Sequence, residues 1–252
     1  MYNIMNNSET GMLAHQNKID IISNNMTNAN TTGYKRLESG FLDLYTETLN
    51  RQSYPNNSKD AVTGTGVKIS QVIRNFEQGS LKNTEIKTNM AIDGEGFFRV
   101  IRSDGSFAYT RSGDFNLDSS GRLVDDIGNI LDIKFENGRG YHNTNLADNL
   151  SINKSGEVFS DREKIGNIDI YTSTGDNDFI SVGDSLFTTI KGANVQINNN
   201  SHIMQGYIEM SNINMQNEVT DLIMAQRAFQ FNSRGMQAVD EMWGMINNLQ
   251  VR

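Results

Sequence analysis

The chain has 252 residues, enough for one large domain or two small ones with a real core. Its 22 Lys and Arg against 30 Asp and Glu give a net charge of -8, with no basic run longer than Lys35-Arg36, so a nucleic-acid backbone is excluded as a natural partner. The absence of Cys excludes disulfides, thiolate zinc sites and cysteine nucleophiles, and 12 Phe, 8 Tyr and 12 Met argue against wholesale disorder.

The first residues carry neither a basic patch nor a long apolar stretch, so no cleaved secretory signal is expected. No window approaches the ~18 apolar residues of a membrane span, so no membrane insertion is expected. Residues 3–30 contain no Pro and a single Gly, Gly11. Met5, Ser8, Met12, His15, Ile19, Ile22, Met26 and Ala29 fall at alternating steps of three and four, mostly with Asn, Gln, Lys, Asp and Glu between them. That spacing predicts a helix with one narrow apolar seam. Thr31-Thr32-Gly33 reads as its stop, with Gly33 as a left-handed cap.

A bridge over residues 34–66 follows. Phe41, Leu42, Leu44, Tyr45 and Leu49 are spaced to extend a helix, until Tyr54-Pro55-Asn56-Asn57-Ser58, with the only Pro of the chain, breaks it. Over residues 67–209 short apolar runs such as Phe97-Phe98-Arg99-Val100-Ile101 and Ile168-Asp169-Ile170-Tyr171 alternate with turn signals such as Ser103-Asp104-Gly105 and Lys154-Ser155-Gly156. Gly and Asn supply the positive φ that hairpin turns need, so this stretch predicts an all-β domain.

Residues 215–249 again lack Pro. Val219, Leu222, Ile223, Phe229, Met236, Val239, Met242, Trp243, Ile246 and Leu249 recur mostly at steps of three and four, interrupted by Gln226 and Ser233. One helix of about 30 residues, on the order of 45 Å, is predicted, with Ser211-Asn212 or Asn214 as N-cap. Narrow seams cannot build a core alone, so each helix needs the other or a neighbouring copy. The expected fold class is α+β: a discontinuous helical domain of residues 1–36 and 210–252, paired like a coiled coil, a bridge at 37–66, and a β-rich domain at 67–209.

No candidate for chemistry outweighs its plainer reading. Asp114, Asn116, Asp118 and Asp125 match four places of a calcium loop, but Ser119 stands where the sharp turn needs Gly, and the flanking residues read as hairpin strands. Asp176-Asn177-Asp178 reads as a solvated turn, and Asp93 and Glu95 flank a turn glycine where nothing would shift a carboxyl pKa for glycoside hydrolysis. His15, His142 and His202 share no ligand spacing. No enzyme activity, cofactor or metal is expected.

Several segments resemble the flagellar rod and hook protein family. Ser23-Asn24-Asn25-Met26-Thr27-Asn28-Ala29-Asn30-Thr31-Thr32-Gly33-Tyr34-Lys35 is similar to its N-terminal signature. Ala91-Ile92-Asp93-Gly94-Glu95-Gly96-Phe97-Phe98 and Tyr109-Thr110-Arg111-Ser112-Gly113-Asp114-Phe115 resemble the hairpins that open its β domain. Gln205-Gly206-Tyr207-Ile208-Glu209-Met210-Ser211-Asn212 resembles the exit from that domain, and Ala225-Gln226-Arg227-Ala228-Phe229-Gln230-Phe231-Asn232-Ser233 its last helix. Phe41-Leu42-Asp43-Leu44-Tyr45-Thr46-Glu47-Thr48-Leu49 resembles the bridge of distal rod subunits.

The resemblance implies an inner tube of paired terminal helices with an outer β wall, self-assembly into a torque-transmitting rod, and location in the flagellar basal body. It implies export through the flagellar apparatus without a cleaved signal. Its implied partners are further copies of the chain, other rod and hook proteins, and the rings around the rod. Helical contacts are then expected at Met12, Ile19, Ile22, Met26, Leu222, Phe229 and Met236, with register set by Asn25, Asn28, Gln226 and Arg227. A proximal rod subunit, or a soluble β-domain binding module with a closed helical stalk, are the alternatives.

Overall fold

The computed structural model describes residues 2–48, 62–136, 140, 150–160, 163–173, 175 and 178–250. The chain is α+β, with a helix at each end and strands between, and it divides into two compact units. The first comprises residues 1–27, 37–75 and 214–252; the second comprises residues 28–36 and 76–213.

In the first unit, α1 (Tyr2–Thr27) and α2 (Met215–Gln250) lie antiparallel. A Cβ added to Gly11 would meet the Asn232 amide at 2.6 Å, one added to Gly235 would meet Ser8 Oγ at 3.3 Å, and Asn25 reaches Glu218, so the partners run in opposite directions. Asn214 is the N-cap of α2: its Oδ1 accepts the Gln216 and Asn217 N–H groups at 3.0 and 3.3 Å. α1 ends at Thr27, before the predicted stop, and Thr31 N–H turns back to the Asn28 carbonyl. Gly33 does adopt φ +65°, but in a later turn and not as the cap of α1.

The helical expectation for the bridge is wrong. Phe41–Asp43 pairs antiparallel with Val67–Ile69, Thr46–Thr48 with Val62–Gly64, and Leu37–Glu38 with Ile73–Arg74. These ladders make one two-stranded ribbon. Opposite Phe41 and Asp43 stand the β-branched Ile69 and Val67, and Thr46 and Thr48 are themselves β-branched, so cross-strand pairing overrides a helical spacing carried by only a few residues. The ribbon rests on α1. Asn7 donates to the Gly64 carbonyl, Val67 N–H reaches Thr10 Oγ1, and the His15 ring meets Phe41 edge-on at 5.2 Å. Leu49 and Pro55 lie outside the described residues.

The second unit is antiparallel β. Its nine-stranded sheet centres on Phe97–Ile101, which pairs with Phe107–Thr110, Ile130–Leu131 and Ile170–Ser173. A four-stranded sheet uses Lys134–Phe135, Ser151–Ile152, Glu157–Ser160 and Glu163–Asn167. Period-two alternation sends consecutive residues to opposite faces. Phe98 enters the main core with Met90, Val100, Phe115, Leu123 and Ile203, while Phe97 joins Tyr109, Tyr171 and Phe187 in a separate aromatic layer.

Two acidic residues of the calcium-loop template, Asp118 and Asp125, serve hairpin turns. Asp118 accepts the Ser119 N–H and pairs with Arg122 at 2.8 Å, and Asp125 accepts the Ile127 and Asn129 N–H groups. Asp93 and Glu95 are exposed.

Gly113 marks the tightest approach in this unit: a Cβ there would sit 1.4 Å from the Met90 carbonyl oxygen. Since backbone must move to admit a methyl group, Gly113→Ala should cost at least about 2–3 kcal/mol. A denaturant titration should show a lower midpoint with an unchanged slope.

Candidate assembly interface

In the second unit the family-like motifs meet at one buried carboxylate. Glu209, 1% exposed, ends the strand Tyr207–Glu209, which pairs with Leu81–Asn83. Its Oε1 receives the Lys35 ammonium at 2.7 Å and the Gly79 N–H at 2.8 Å. Its Oε2 lies 2.8 Å from Arg111 Nε, an ion pair without the alignment of a hydrogen bond. The remaining donors of the two cations are aimed at main-chain carbonyls: Lys35 at Glu77, and Arg111 at Gly94 and Gly96. The Glu209 carbonyl accepts the Gly33 N–H at 2.8 Å. Gly33 must be glycine here, because its φ is positive and a Cβ would meet Ser112 N at 2.3 Å. Burial pulls the Lys35 and Arg111 pKa values below their ordinary ranges, and Glu209 opposes the shift in both.

In the first unit the helix pair is held by a polar clamp. Asn25, 1% exposed, accepts the Leu37 N–H and donates to the Leu37 carbonyl, both at 2.9 Å, and its amide also faces Glu218 Oε2 at 3.4 Å. One amide thus anchors the start of the ribbon to α1 and touches the first turn of α2.

The expected contact residues are distributed unevenly. Ile22 is 3% exposed, and Met12, Ile19 and Met26 are half-buried on the same stripe of α1. Leu222, Phe229 and Met236 are half-buried on the stripe of α2 that includes the buried Glu218, Ala225 and Val239. Gln226 and Arg227 are exposed on α2. Asn28 belongs to the second unit, where its Oδ1 accepts the Thr31 hydroxyl at 3.3 Å. Sequence reasoning missed Gly11, Ala14, Ala225 and Gly235, which let the helices approach, because an apolar template gives small residues little weight. It also missed the ion cluster, although Lys35 and Arg111 each lie within two residues of a glycine inside a motif.

Three segments match profiles of one family. Residues 5–35 match the flagella basal body rod protein, 91–160 the D1 domain of the flagellar hook protein FlgE/F/G, and 204–249 the C-terminal region of flagellar basal body rod FlgEFG proteins. The chain belongs to the flagellar basal-body rod and hook protein family, as a structural subunit and not a member of an enzyme family. It is similar to the flagellar basal-body rod protein FlgG of Borreliella burgdorferi, at 32% identity over 95% of this chain and 96% of that protein. It is 32% identical to FlgG of Agrobacterium fabrum, over 94% and 95% of the two chains. It is 29% identical to the flagellar hook-basal body complex protein FlhP of Bacillus subtilis, over 93% and 94%.

Two substitutions test the buried contacts. Asn25→Ala leaves the Leu37 N–H and carbonyl without this partner and should cost about 2–4 kcal/mol of stability in the first unit. Glu209→Gln leaves two buried cations without their counter-charge and should cost about 3–5 kcal/mol in the second. Exposed Asp93→Asn is the control. Equal unfolding midpoints for the Glu209 and Asp93 variants would contradict the role given to the cluster.

Proposed function

We propose that the chain is a distal rod subunit that assembles with copies of itself into a helical tube and transmits torque along it. In this reading it leaves the cell through the flagellar export apparatus without a cleaved signal. It meets other rod and hook proteins at its ends and ring proteins around it. The observation that carries the reading is apolar surface left open on the helix pair: Ile4, Leu13, Ile223, Met224, Phe231 and Met245 are 46–77% exposed while the facing stripes are closed. Met12, Ile19, Ile22, Met26, Leu222, Phe229 and Met236 hold the helices that assemble, and Asn25, Gln226 and Arg227 set their register. The likeness to FlhP supports a second reading, another subunit of the hook-basal body complex with the same mode of assembly.

Purified chain should polymerise above a threshold concentration, followed by light scattering and seen as rods by electron microscopy. Ile22→Asp should abolish this, because a carboxylate in that buried position costs about 3–5 kcal/mol, while the circular dichroism of the β unit is retained. A chain that stays monomeric at every concentration, with slow amide exchange over residues 1–36 and 210–252, would instead be a closed-stalk binding module.

A further inference from the structure

The chain passes between its two units four times, after residues 27, 36, 75 and 213. On the side of the second unit, three of these passages run together. Gly33 N–H bonds the Glu209 carbonyl and Arg36 N–H bonds Asn212 Oδ1, both at 2.8 Å, so residues 33–36 and 209–212 run side by side in one direction. Leu81–Asn83 pairs antiparallel with Tyr207–Glu209, and Met210 N–H continues the ladder to the Ser80 carbonyl at 2.9 Å. Residues 77–80 therefore reach the same end of the ladder as residues 36 and 212.

The half-buried Asn212 side chain closes that end. Its Oδ1 takes the N–H of Arg36, the last residue before one passage. Its Nδ2 donates to the carbonyl of Glu77 at 3.1 Å, just inside a second passage, and Asn212 itself precedes the third. Behind it the Lys35 ammonium donates to the same Glu77 carbonyl at 2.6 Å and to Glu209 at 2.7 Å. Three segments distant in sequence are thus tied within two residues of the points where the chain leaves the unit. The hydrogen bonds of a half-buried amide stabilise a fold modestly wherever they lie. At the mouth of a ladder they oppose one motion above others, the splaying of its ends, because peeling breaks the outermost bonds first.

We propose that Asn212 is a mechanical clamp, which holds three chain passages together when force is applied between the two units. The clamp rests on the torque reading above for its load, while its mechanics belong to the single chain.

The chain has no Cys, so pairs of introduced cysteines can hold handles for optical-tweezer pulling of the full chain. Gln71→Cys with Gln216→Cys, both exposed, loads the second unit through its passages. Ser103→Cys with Lys191→Cys, exposed within that unit, loads it elsewhere. At constant force, Asn212→Ala should speed opening of the second unit on the order of tenfold in the first geometry and leave the second geometry within a factor of about two. Asn212→Asp keeps an acceptor for Arg36 N–H and loses the donor to Glu77, so it should speed opening through the passages by less. Equal acceleration in both geometries would make Asn212 an ordinary stabilising residue, and no acceleration through the passages by either variant would remove the clamp. Both results leave the assembly reading standing. Failure of the unmodified chain to polymerise would remove that reading and its torque, and the pulling result would still decide the clamp.

Discussion

A carboxylate taken out of water between two cations is stable only when every lone pair and every proton around it has a partner. Glu209 approaches that condition through residues drawn from distant parts of the chain: Lys35 and Gly33 from the segment after α1, Gly79 from the start of the second unit, and Arg111, paired by charge and not by an aligned hydrogen bond, from its first hairpins. Arg111 in turn reaches the Gly94 and Gly96 carbonyls, which fixes one turn against the next. Residues 28–36 belong to the second unit, and Gly33 and Lys35 tie them into it through Glu209. Apolar burial could give comparable stability, but it would not specify which segments meet. Three charges with fixed donors leave one arrangement in which none is stranded.

The first unit uses the same logic at smaller scale. Gly11, Ala14, Ala225 and Gly235 bring α1 and α2 close, and smooth surfaces of that kind tolerate sliding. Asn25 removes that freedom. A slip along the helix axis would break the contact from its Nδ2 to the buried Glu218 Oε2 on α2, while its two bonds to Leu37 hold the amide itself in place. Register in the helix pair is therefore set by a polar residue within an otherwise small and apolar contact.

The two helices and the hairpin character of the middle were legible from periodicity because both signals extend over many residues: one repeats at steps of three and four, the other at two. Asn214 as N-cap was equally readable, since a short polar side chain before an apolar run has a local job. The ribbon was not. Phe41, Leu42, Leu44 and Tyr45 are too few to fix a period, and what decides their state is a partner strand more than twenty residues away. The Glu209 cluster was visible only as unexplained motif residues. A sequence shows that Lys35, Arg111 and Glu209 stand beside glycines, but their convergence is a three-dimensional property. Phe229 and Phe231 show the same limit on a helix: two residues apart in one motif, they fall on different sides of α2, half-buried and 77% exposed.

That difference bears on the proposed assembly. A monomeric protein gains by covering apolar side chains, and a solubility problem follows when it leaves a row of them open. A chain with net charge -8 tolerates the row better than a neutral one, since self-repulsion opposes uncontrolled association. The open apolar residues of α2 lie beside a stripe already filled by α1, where Asn25 reaches Glu218, so in the proposed assembly little ordering cost remains at the moment of contact. In the proposed assembly, order within the single chain and openness to the next are two halves of one design: a helix pair fixed by its own polar clamp is what makes a weak, repeated contact selective.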